Sequence, residues 1–338
     1  MAQAGSLCYT TCIGQGRMPA NTHMEHPEDM VFHGQGSSLV DFFYNLPADQ
    51  TVSVKWDGAP ALVWGRCPET NQFFVGTKSV FNKRLIKINY NHHDIDRNHE
   101  GVVATILHVA FECLPVPSTG YLQGDFIGFG GTDVFRPNTI EYRFPHVLPQ
   151  SMVVAVHTRY TGAFLDPTPE FGVRPSTIDF DDTRTSRCHL IDTCHASVEY
   201  RDFFKKCIDF AKVKYLESRA KFPQSRATRQ YLKTHVNKYI RRGFFPTAVE
   251  LYESLPDKYK CQVNADLFRL YHVIYNLKMR VFGAIEVYSK AECYIDGQPT
   301  DHEGFVISSS DHTYKIVNRL EFSKANFTLD KNWTNEKV

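Results

Sequence analysis

The sequence has no long apolar run, no excess of charge of one sign and no regular cysteine spacing. None of the 338 residues belongs to a run of 18 apolar residues, and the first residues do not read as a signal peptide. Lys and Arg number 38 against 37 Asp and Glu, so affinity for nucleic acid has to come from local clusters of charge. Nine scattered cysteines fit reduced thiols inside a cell. We therefore expect a cytoplasmic protein without membrane contact.

Regions of different periodicity follow one another along the chain. A helix start is predicted at residues 26–29, before the strands. Residues 51 to about 165 consist of short β-branched and aromatic runs between Gly, Pro and Asn turns, which is typical of strands, with one helix over 101–113. After a Pro-, Asp- and Thr-rich connection at 166–185, residues 197–288 show helical spacing. The clearest helical series is Leu267, Tyr271, Ile274, Leu277, Val281 and Ile285.

Lys55 ends the alternating strand 51–55 and precedes an Asp57-Gly58 turn. A lysine fixed in this way can be held near a phosphate. Partial burial is expected to lower its pKa from roughly 10.4 towards neutrality, which makes the amine a nucleophile. This arrangement suits attack on the α-phosphate of a nucleoside triphosphate. Because Asp-Gly is a common turn, the other interpretation is a surface lysine beside a hairpin.

Further motifs follow this lysine in a fixed order. They are Thr77-Lys78, Gly124-Asp125, the strand with Tyr142 and Phe144, Glu303-Gly304-Phe305-Val306-Ile307, and the strand around Lys315. The ordered set resembles the covalent nucleotidyltransferase superfamily of ATP-dependent DNA ligases, RNA ligases and mRNA-capping enzymes. The string Lys55-Trp56-Asp57-Gly58-Ala59-Pro60, with Phe81-Asn82-Lys83, looks most like RNA-ligase-like proteins of large tailed bacteriophages. The resemblance covers about residues 25–165 and 290–325.

The resemblance implies an α+β fold in which antiparallel sheets form an ATP-grasp-like cleft. The nucleotidyltransferase domain is then expected over residues 25–165 and 290–338, with an inserted helical, basic subdomain over 166–289 and a loosely ordered leader over 1–24. Capping enzymes and most DNA ligases continue into an oligonucleotide-binding (OB) barrel after the last motif. Because this sequence ends at Val338, we expect no C-terminal OB barrel.

The resemblance also assigns the chemistry of the central residues. Lys55 would carry the nucleotide, and Glu303 would hold Mg²⁺ or Mn²⁺, since hard cations prefer oxygen ligands. Lys315 would neutralise the α-phosphate and lower the pKa of Lys55, since one cation depresses the pKa of another. Glu303 also fits an ordinary charge on an edge strand.

The remaining nucleotide contacts come from the other motifs. Asp125 would accept a hydrogen bond from a ribose hydroxyl, Lys78 would contact ribose or phosphate, and Phe144 or Tyr142 would stack on the base. The competing interpretations are a turn residue for Asp125, a solvated lysine for Lys78 and core packing for the two aromatic residues. Further nucleotide contacts are expected from Val54, Asp57, Gly58 and Arg319.

Two positions differ from the usual motifs of the covalent nucleotidyltransferase superfamily. Pro60 stands where DNA ligases and capping enzymes usually carry an arginine, and RNA ligases commonly lack that arginine. Val317 stands where a second lysine usually follows Lys315, and the nearest later cation is Arg319. The first departure favours RNA joining. The second weakens the expected contact to the β- and γ-phosphates.

Residues 201–242 carry thirteen Lys or Arg against three acidic residues. In a chain of net charge +1, this excess indicates a footprint for the phosphate backbone of nucleic acid. The other interpretation is a solvated face of amphipathic helices. The residues expected to bind nucleic acid are Lys205, Lys206, Lys212, Lys214, Arg219, Arg241 and Arg242.

The predicted function is ATP-dependent ligation of a polynucleotide, RNA rather than DNA, through lysyl-AMP at Lys55. The partner would be nucleic acid, and the cofactors would be ATP and Mg²⁺ or Mn²⁺, in the host cytoplasm if the protein is phage-encoded. Only the resemblance favours ATP over GTP. Two alternatives stay open: a nucleotidyltransferase that modifies a protein or small molecule, and a non-catalytic nucleic-acid-binding relative.

Overall fold

The computed structural model describes residues 24–44, 51–181, 186–194, 196–198, 210–309 and 312–322. Its short 3₁₀ turns span Val31–His33, Lys78–Phe81 and Pro175–Thr177. The helices are α1 (Pro27–Met30), α2 (Gly36–Tyr44), α3 (His92–Asn98), α4 (Gly101–Cys113), α5 (Phe210–Arg219), α6 (Arg226–Ile240), α7 (Ala248–Glu253), α8 (Asp257–Lys260) and α9 (Ala265–Gly283).

The strands form mainly antiparallel sheets. They are β1 (Thr51–Lys55), β2 (Ala61–Arg66), β3 (Phe73–Thr77), β4 (Tyr121–Phe129), β5 (Thr132–Phe135), β6 (Glu141–Leu148), β7 (Met152–Thr161), β8 (Thr168–Phe171), β9 (Cys188–Asp192), β10 (Ala196–Val198), β11 (Ile285–Val287), β12 (Glu292–Ile295), β13 (Gln298–Thr300), β14 (Gly304–Ser308) and β15 (Thr313–Val317). Within the described ranges no sheet closes into a barrel. The fold is therefore of the α+β class.

The largest sheet has the order β3-β2-β4-β7-β8, and β9 runs parallel to β7. Its apolar face is covered by α4, whose buried side chains Ile106, Leu107 and Ala110 recur with the spacing of one helix face. They pack with Trp64 and Val154 from the sheet. This predicted helix therefore serves to bury one face of the sheet.

A smaller sheet, β1-β14-β15, carries the lysine motif. Lys55 is paired with Gly304 and Ser53 with Val306, and Val306 is paired in turn with Lys315. Residues directly opposite each other, or two apart on a strand, share one face of a sheet. Lys55 and Lys315 therefore lie on the same face of this sheet.

The helical region packs directly against the β1-β14-β15 sheet. One continuous hydrophobic core includes Leu267, Ile274 and Val281 of α9 together with Ile307 and Ile316 of the sheet. The chain enters this region at β10 and leaves it at β11, and these two strands pair antiparallel. The helices therefore share a core with the sheet that carries Lys55.

Two predicted boundaries differ from the structure. The connection at 166–185 was expected to precede a helical region, but β8 within it and β9 directly after it both pair with β7 and extend the large sheet. Ile285, placed on the last helix by its spacing, is in β11. Both differences arise because pairing with a distant strand outweighed the local pattern.

A four-stranded sheet, β13-β12-β6-β5, completes the architecture.

Candidate functional site

Lys55 and Glu303 meet at the end of the β1–β14 pair. The Lys55 Nζ atom donates a hydrogen bond to a carboxylate oxygen of Glu303, 248 residues later in the chain. The next residue, Gly304, allows β15 to approach closely, since a Cβ atom there would lie 2.2 Å from the Ile316 carbonyl oxygen. The structure thus brings together the two residues that the sequence placed at the centre of the chemistry.

The charge state of Lys55 differs from the sequence-based expectation. Burial lowers the pKa of Lys55, but the carboxylates of Glu303, Asp125 and Asp57 raise it by more, and the pKa lies above its ordinary value. The expected fall towards neutrality was therefore wrong for the protein without nucleotide. The reason is that the carboxylates were expected to bind metal and ribose, whereas here they stabilise the ammonium ion.

Lys315 is half-buried on the same sheet face, one strand beyond β14. Burial, then the nearby charges of Lys55 and Arg319, lower the pKa of Lys315. Its backbone N–H points towards the Glu25 carbonyl oxygen at 3.4 Å, so the N-terminal segment lies alongside β15. A second cation with a weakened hold on its proton thus stands near Lys55, although the pKa of Lys55 is not lowered as expected.

Asp57 is buried and fixed by two donors. Its carboxylate accepts hydrogen bonds at 3.0 Å from the side chain of Asn138 and at 3.0 Å from the backbone of Thr139. Its own backbone N–H donates to the Tyr142 hydroxyl at 2.7 Å. The sequence did not point to Asn138 or Thr139. Asp57 therefore belongs to the turn after Lys55 and also fixes its position through hydrogen bonds to residues 138, 139 and 142.

Gly58 and Asp125 touch where this turn crosses β4. A Cβ atom on Gly58 would lie 2.8 Å from the Asp125 Cβ atom and 2.7 Å from the Phe126 carbonyl oxygen. Backbone hydrogen bonds between Ala59 and Phe126, and between Phe126 and Pro60, hold the same crossing. Asp125 is half-buried, 3.9 Å from the His157 ring. The turn glycine is thus needed for close approach to the predicted ribose contact.

The outer nucleotide residues lie at the same end of the large sheet or beside it. Thr77 pairs with Leu62, so the exposed Lys78 leaves β3 level with the start of β2. Val54, by contrast, is buried, and its backbone N–H donates to Thr193 at 2.7 Å. Lys78 is therefore accessible to a ligand, and the Val54 side chain belongs to the core.

Tyr142 lies in the core and not on an accessible surface. Its ring is fully buried, with its centroid 4.5 Å from that of Trp56 and 5.9 Å from that of His302. It cannot stack on a nucleotide base in this position, because neighbouring rings and its bond to Asp57 occupy it. Phe144 is half-buried, with its ring stacked 6.1 Å from Trp56. Of the two candidates for base stacking, only Phe144 has an exposed part.

His302, which the sequence did not single out, lies directly before Glu303. It is buried against Trp56 and Tyr142, and neither ring nitrogen has a hydrogen-bond partner among the described residues. Burial lowers the pKa of His302 to about 4. A neutral imidazole therefore packs behind Glu303 at physiological pH.

Arg319 is in a buried ion cluster, contrary to its expected phosphate contact. Its guanidinium group lies 2.9 Å from Glu28 and 3.0 Å from Asp29. The Lys278 ammonium, from the middle of α9, binds the same Glu28 oxygen at 2.7 Å. Tyr271 donates to Asp29 at 3.1 Å. Arg319 is thus one of four charged side chains that come together from three distant segments. The cluster ties the chain after β15 to α1 and α9.

The comparisons with known proteins identify a family. Residues 21–331 match the family of unknown function DUF6267. The chain belongs to DUF6267. No curated protein and no solved structure matches it. Of the helices that the structure describes, none has both the length and the apolar character needed to cross a bilayer. In the described part of this DUF6267 chain, no three His, Cys, Asp or Glu side chains converge as a metal-binding group.

The basic helical run of this DUF6267 chain is spread over separate surfaces. Lys205 and Lys206 lie outside the described residues. Lys212 and Lys214 are exposed on α5, and Arg241 and Arg242 are exposed directly after α6. Arg219 forms an ion pair with Asp266 at 3.0 Å. Of the predicted nucleic-acid contacts that the structure describes, the exposed cations lie on α5, Arg219 included, and directly after α6.

Proposed function

We propose that this protein is an ATP-dependent polynucleotide ligase that forms a covalent lysyl-AMP at Lys55. The observation that carries the proposal is the contact between the Lys55 ammonium and the Glu303 carboxylate, with Asp57, Asp125 and Lys315 around it. A lysine whose carboxylate partner can be drawn away by a ligand, and which has a second cation nearby, suits phosphoryl transfer. Such chemistry depends mainly on positioning and charge neutralisation.

The oxygen donors at this site suit a hard divalent cation. Glu303 is the donor that would hold Mg²⁺ or Mn²⁺, since its carboxylate is mostly buried beside the lysine. The bound ion would supply positive charge at the phosphates. When Glu303 is drawn away from Lys55, the main group that raises the lysine pKa is lost, while burial still lowers it. The pKa of Lys55 then falls, which favours the free amine.

The proposed reaction has three balanced steps. The neutral Lys55 amine bonds to the α-phosphorus of ATP, the bond from that phosphorus to pyrophosphate breaks, and one amine proton passes to solvent. A 5′-phosphate oxygen of the polynucleotide then attacks the same phosphorus, the P–N bond breaks, and Lys55 regains a proton. Finally a 3′-hydroxyl attacks the activated 5′-phosphate, AMP leaves, and the hydroxyl proton passes to solvent. Lys315 faces the developing charge of the first two steps.

The proposal is tested by intact mass after incubation with ATP or GTP and Mg²⁺. A gain of one AMP in the wild-type protein, absent in Lys55→Arg and retained in Lys290→Arg, is the expected result. Lys290 is an exposed lysine, so its exchange controls for loss of a surface amine. A gain of GMP changes the base, and no gain with either nucleotide contradicts the proposal.

One observation favours a second candidate, a relative that does not complete ligation. Val317, in register with Gly304 and facing the Lys55 side of the sheet, is 4 % exposed, and Arg319 is in the ion cluster. The cations expected at the β- and γ-phosphates are therefore replaced or occupied. Lysyl-AMP formation without transfer of AMP to 5′-phosphorylated RNA or DNA would favour a protein or small-molecule acceptor. Absence of lysyl-AMP would favour a relative that only binds nucleic acid.

A further inference from the structure

The segment from 78 to 88 follows β3, the edge strand of the large sheet, and its first turn buries Val80 and Phe81 in the core. It leaves β3 after Thr77 and returns at Asn89, which exchanges backbone hydrogen bonds of 3.0 and 3.2 Å with Val75. The Asn89 side chain adds a bond of 2.9 Å to the Val75 carbonyl oxygen. Lys87 is tied to the Asn98 carbonyl oxygen at 2.6 Å. The tip, residues 83–86, is exposed and lies between these two hydrogen-bonded ends.

The tip is strongly basic in a nearly neutral chain. Residues 70–93 contain Lys78, Lys83, Arg84 and Lys87 and no Asp or Glu. Lys78, Lys83 and Arg84 are exposed. A local excess of cations attracts polyanions such as the phosphate backbone of nucleic acid.

The same tip exposes apolar side chains next to its charges. Leu85 is 84 % exposed and Ile86 is 43 % exposed. Leu85 has φ 54°, a left-handed conformation that a leucine rarely adopts. Such a conformation, with a large apolar side chain in water, is not explained by packing within the protein. Unpaired bases offer apolar faces that such side chains contact in single-stranded nucleic acid.

The register of the sheet places the start of this segment, at Lys78, near the strand that carries Asp125. Ala61 is paired with Asp125, and Leu62 is paired with both Thr77 and Gly124. Neighbouring strands lie about 4.8 Å apart, so the start of the segment is about 10 Å from the strand of Asp125. The segment therefore starts at the end of the sheet where the Gly58 turn meets Asp125.

We propose that this tip binds the 5′-terminal nucleotides of a single-stranded polynucleotide. Lys83 and Arg84 hold its phosphates, and Leu85 and Ile86 contact its bases. This inference rests on the proposed ligase function and names the surface that presents the 5′-phosphate to lysyl-AMP. It assigns end recognition to the tip and leaves α5 and the end of α6 to contacts further along the strand.

The decisive variant is Lys83→Glu with Arg84→Glu, compared with Lys258→Glu plus Lys290→Glu. The control changes two exposed lysines elsewhere by the same total charge. The first measurement is binding of a short 5′-phosphorylated single-stranded RNA across a salt series. We expect at least a tenfold loss for the tip variant and a salt slope reduced by about 1.4, as for two lost phosphate contacts. Leu85→Ala should weaken binding without changing the slope.

Lysyl-AMP formation separates this inference from the proposed function. The tip variant should form lysyl-AMP at the wild-type rate and lose transfer to RNA, and circular dichroism should confirm that it is folded. Equal RNA binding by the tip and control variants overturns the inference. So does a tip variant that loses binding to anionic vesicles while it keeps RNA binding. If the wild-type protein forms no lysyl-AMP, the proposed function fails, and the binding series still decides the role of the tip.

Discussion

The Lys55 ammonium lies against the Glu303 carboxylate across the β1–β14 pair. This contact raises the pKa of the lysine against the effect of burial. The nucleophilicity of Lys55 therefore depends on a partner that can be removed, by a ligand or by mutation.

Glu303→Gln should make Lys55 more reactive in the absence of nucleotide. The amide cannot stabilise the ammonium ion, while burial still favours the neutral amine, so the lysine pKa falls. Acetylation of Lys55 by an amine-reactive ester at neutral pH, followed by peptide mass mapping, should increase several-fold. Glu292→Gln, an exposed acid of β12, serves as the control. Unchanged or slower acetylation would show that Glu303 does not control this amine. Glu303→Gln should also lose metal-dependent nucleotide transfer.

Arg319→Leu should strongly destabilise the protein. It leaves Glu28 and Asp29 buried with only Lys278 as a cationic partner, and breaking a buried pair from one side typically costs about 3–5 kcal/mol. Urea denaturation at neutral pH measures this loss. Arg241→Leu, at an exposed position, should change stability by at most about 0.5 kcal/mol. Similar stability of the two variants would mean that the cluster contributes no net stabilisation.

His302 should make the protein sensitive to acid. Burial depresses its pKa from 6.5 to about 4, so the unfolded state binds a proton that the folded state excludes. Above pH 6.5 the imidazole is neutral in both states and the free energy of unfolding is unaffected. As the pH falls from 6.5 towards 4, the unfolded state gains a proton and the free energy of unfolding falls by about 3 kcal/mol in all. His302→Phe keeps an aromatic ring and removes the titration. The stability difference between wild type and variant should therefore change between pH 7 and 4.5, and a constant difference rules this out.

Gly58→Ala should damage both folding and chemistry. The added methyl group would meet the Phe126 carbonyl oxygen at 2.7 Å, and a backbone atom cannot move aside cheaply. We expect a loss of about 1–3 kcal/mol in unfolding free energy and slower lysyl-AMP formation. Gly283→Ala has no atom within 4 Å of the new methyl group and should be neutral or slightly stabilising. If both glycines tolerate alanine equally, close approach at Gly58 is not required.

Local patterns were enough to predict individual elements. The alternation at 51–55, the helix at 101–113 and the strand around Lys315 were all predicted and confirmed, because each is encoded by neighbouring residues. The pairing of β9 with β7 was not predicted. It depends on a parallel partner separated in sequence, and a strand of five residues does not specify its neighbour.

The candidate site was predictable in part for the same reason. Lys55, Asp57, Asp125 and Glu303 carry recognisable local motifs, and the structure gathers them. The ion cluster escaped prediction because Glu28 and Lys278 lie 250 residues apart, and each looks like a surface charge when its own segment is read alone. The raised pKa of Lys55 escaped because it depends on distances between carboxylates, which a sequence does not contain.

The pairing of β1 with β14 also fixes when this site comes into being. During synthesis Lys55 leaves the ribosome early, and its sheet lacks the middle strand until residues 304–308 have been made. Contacts between such distant segments form late, because a long loop has to close before they are gained. A nascent or prematurely terminated chain therefore carries the lysine without its carboxylate partner. Such a chain cannot assemble the lysine site.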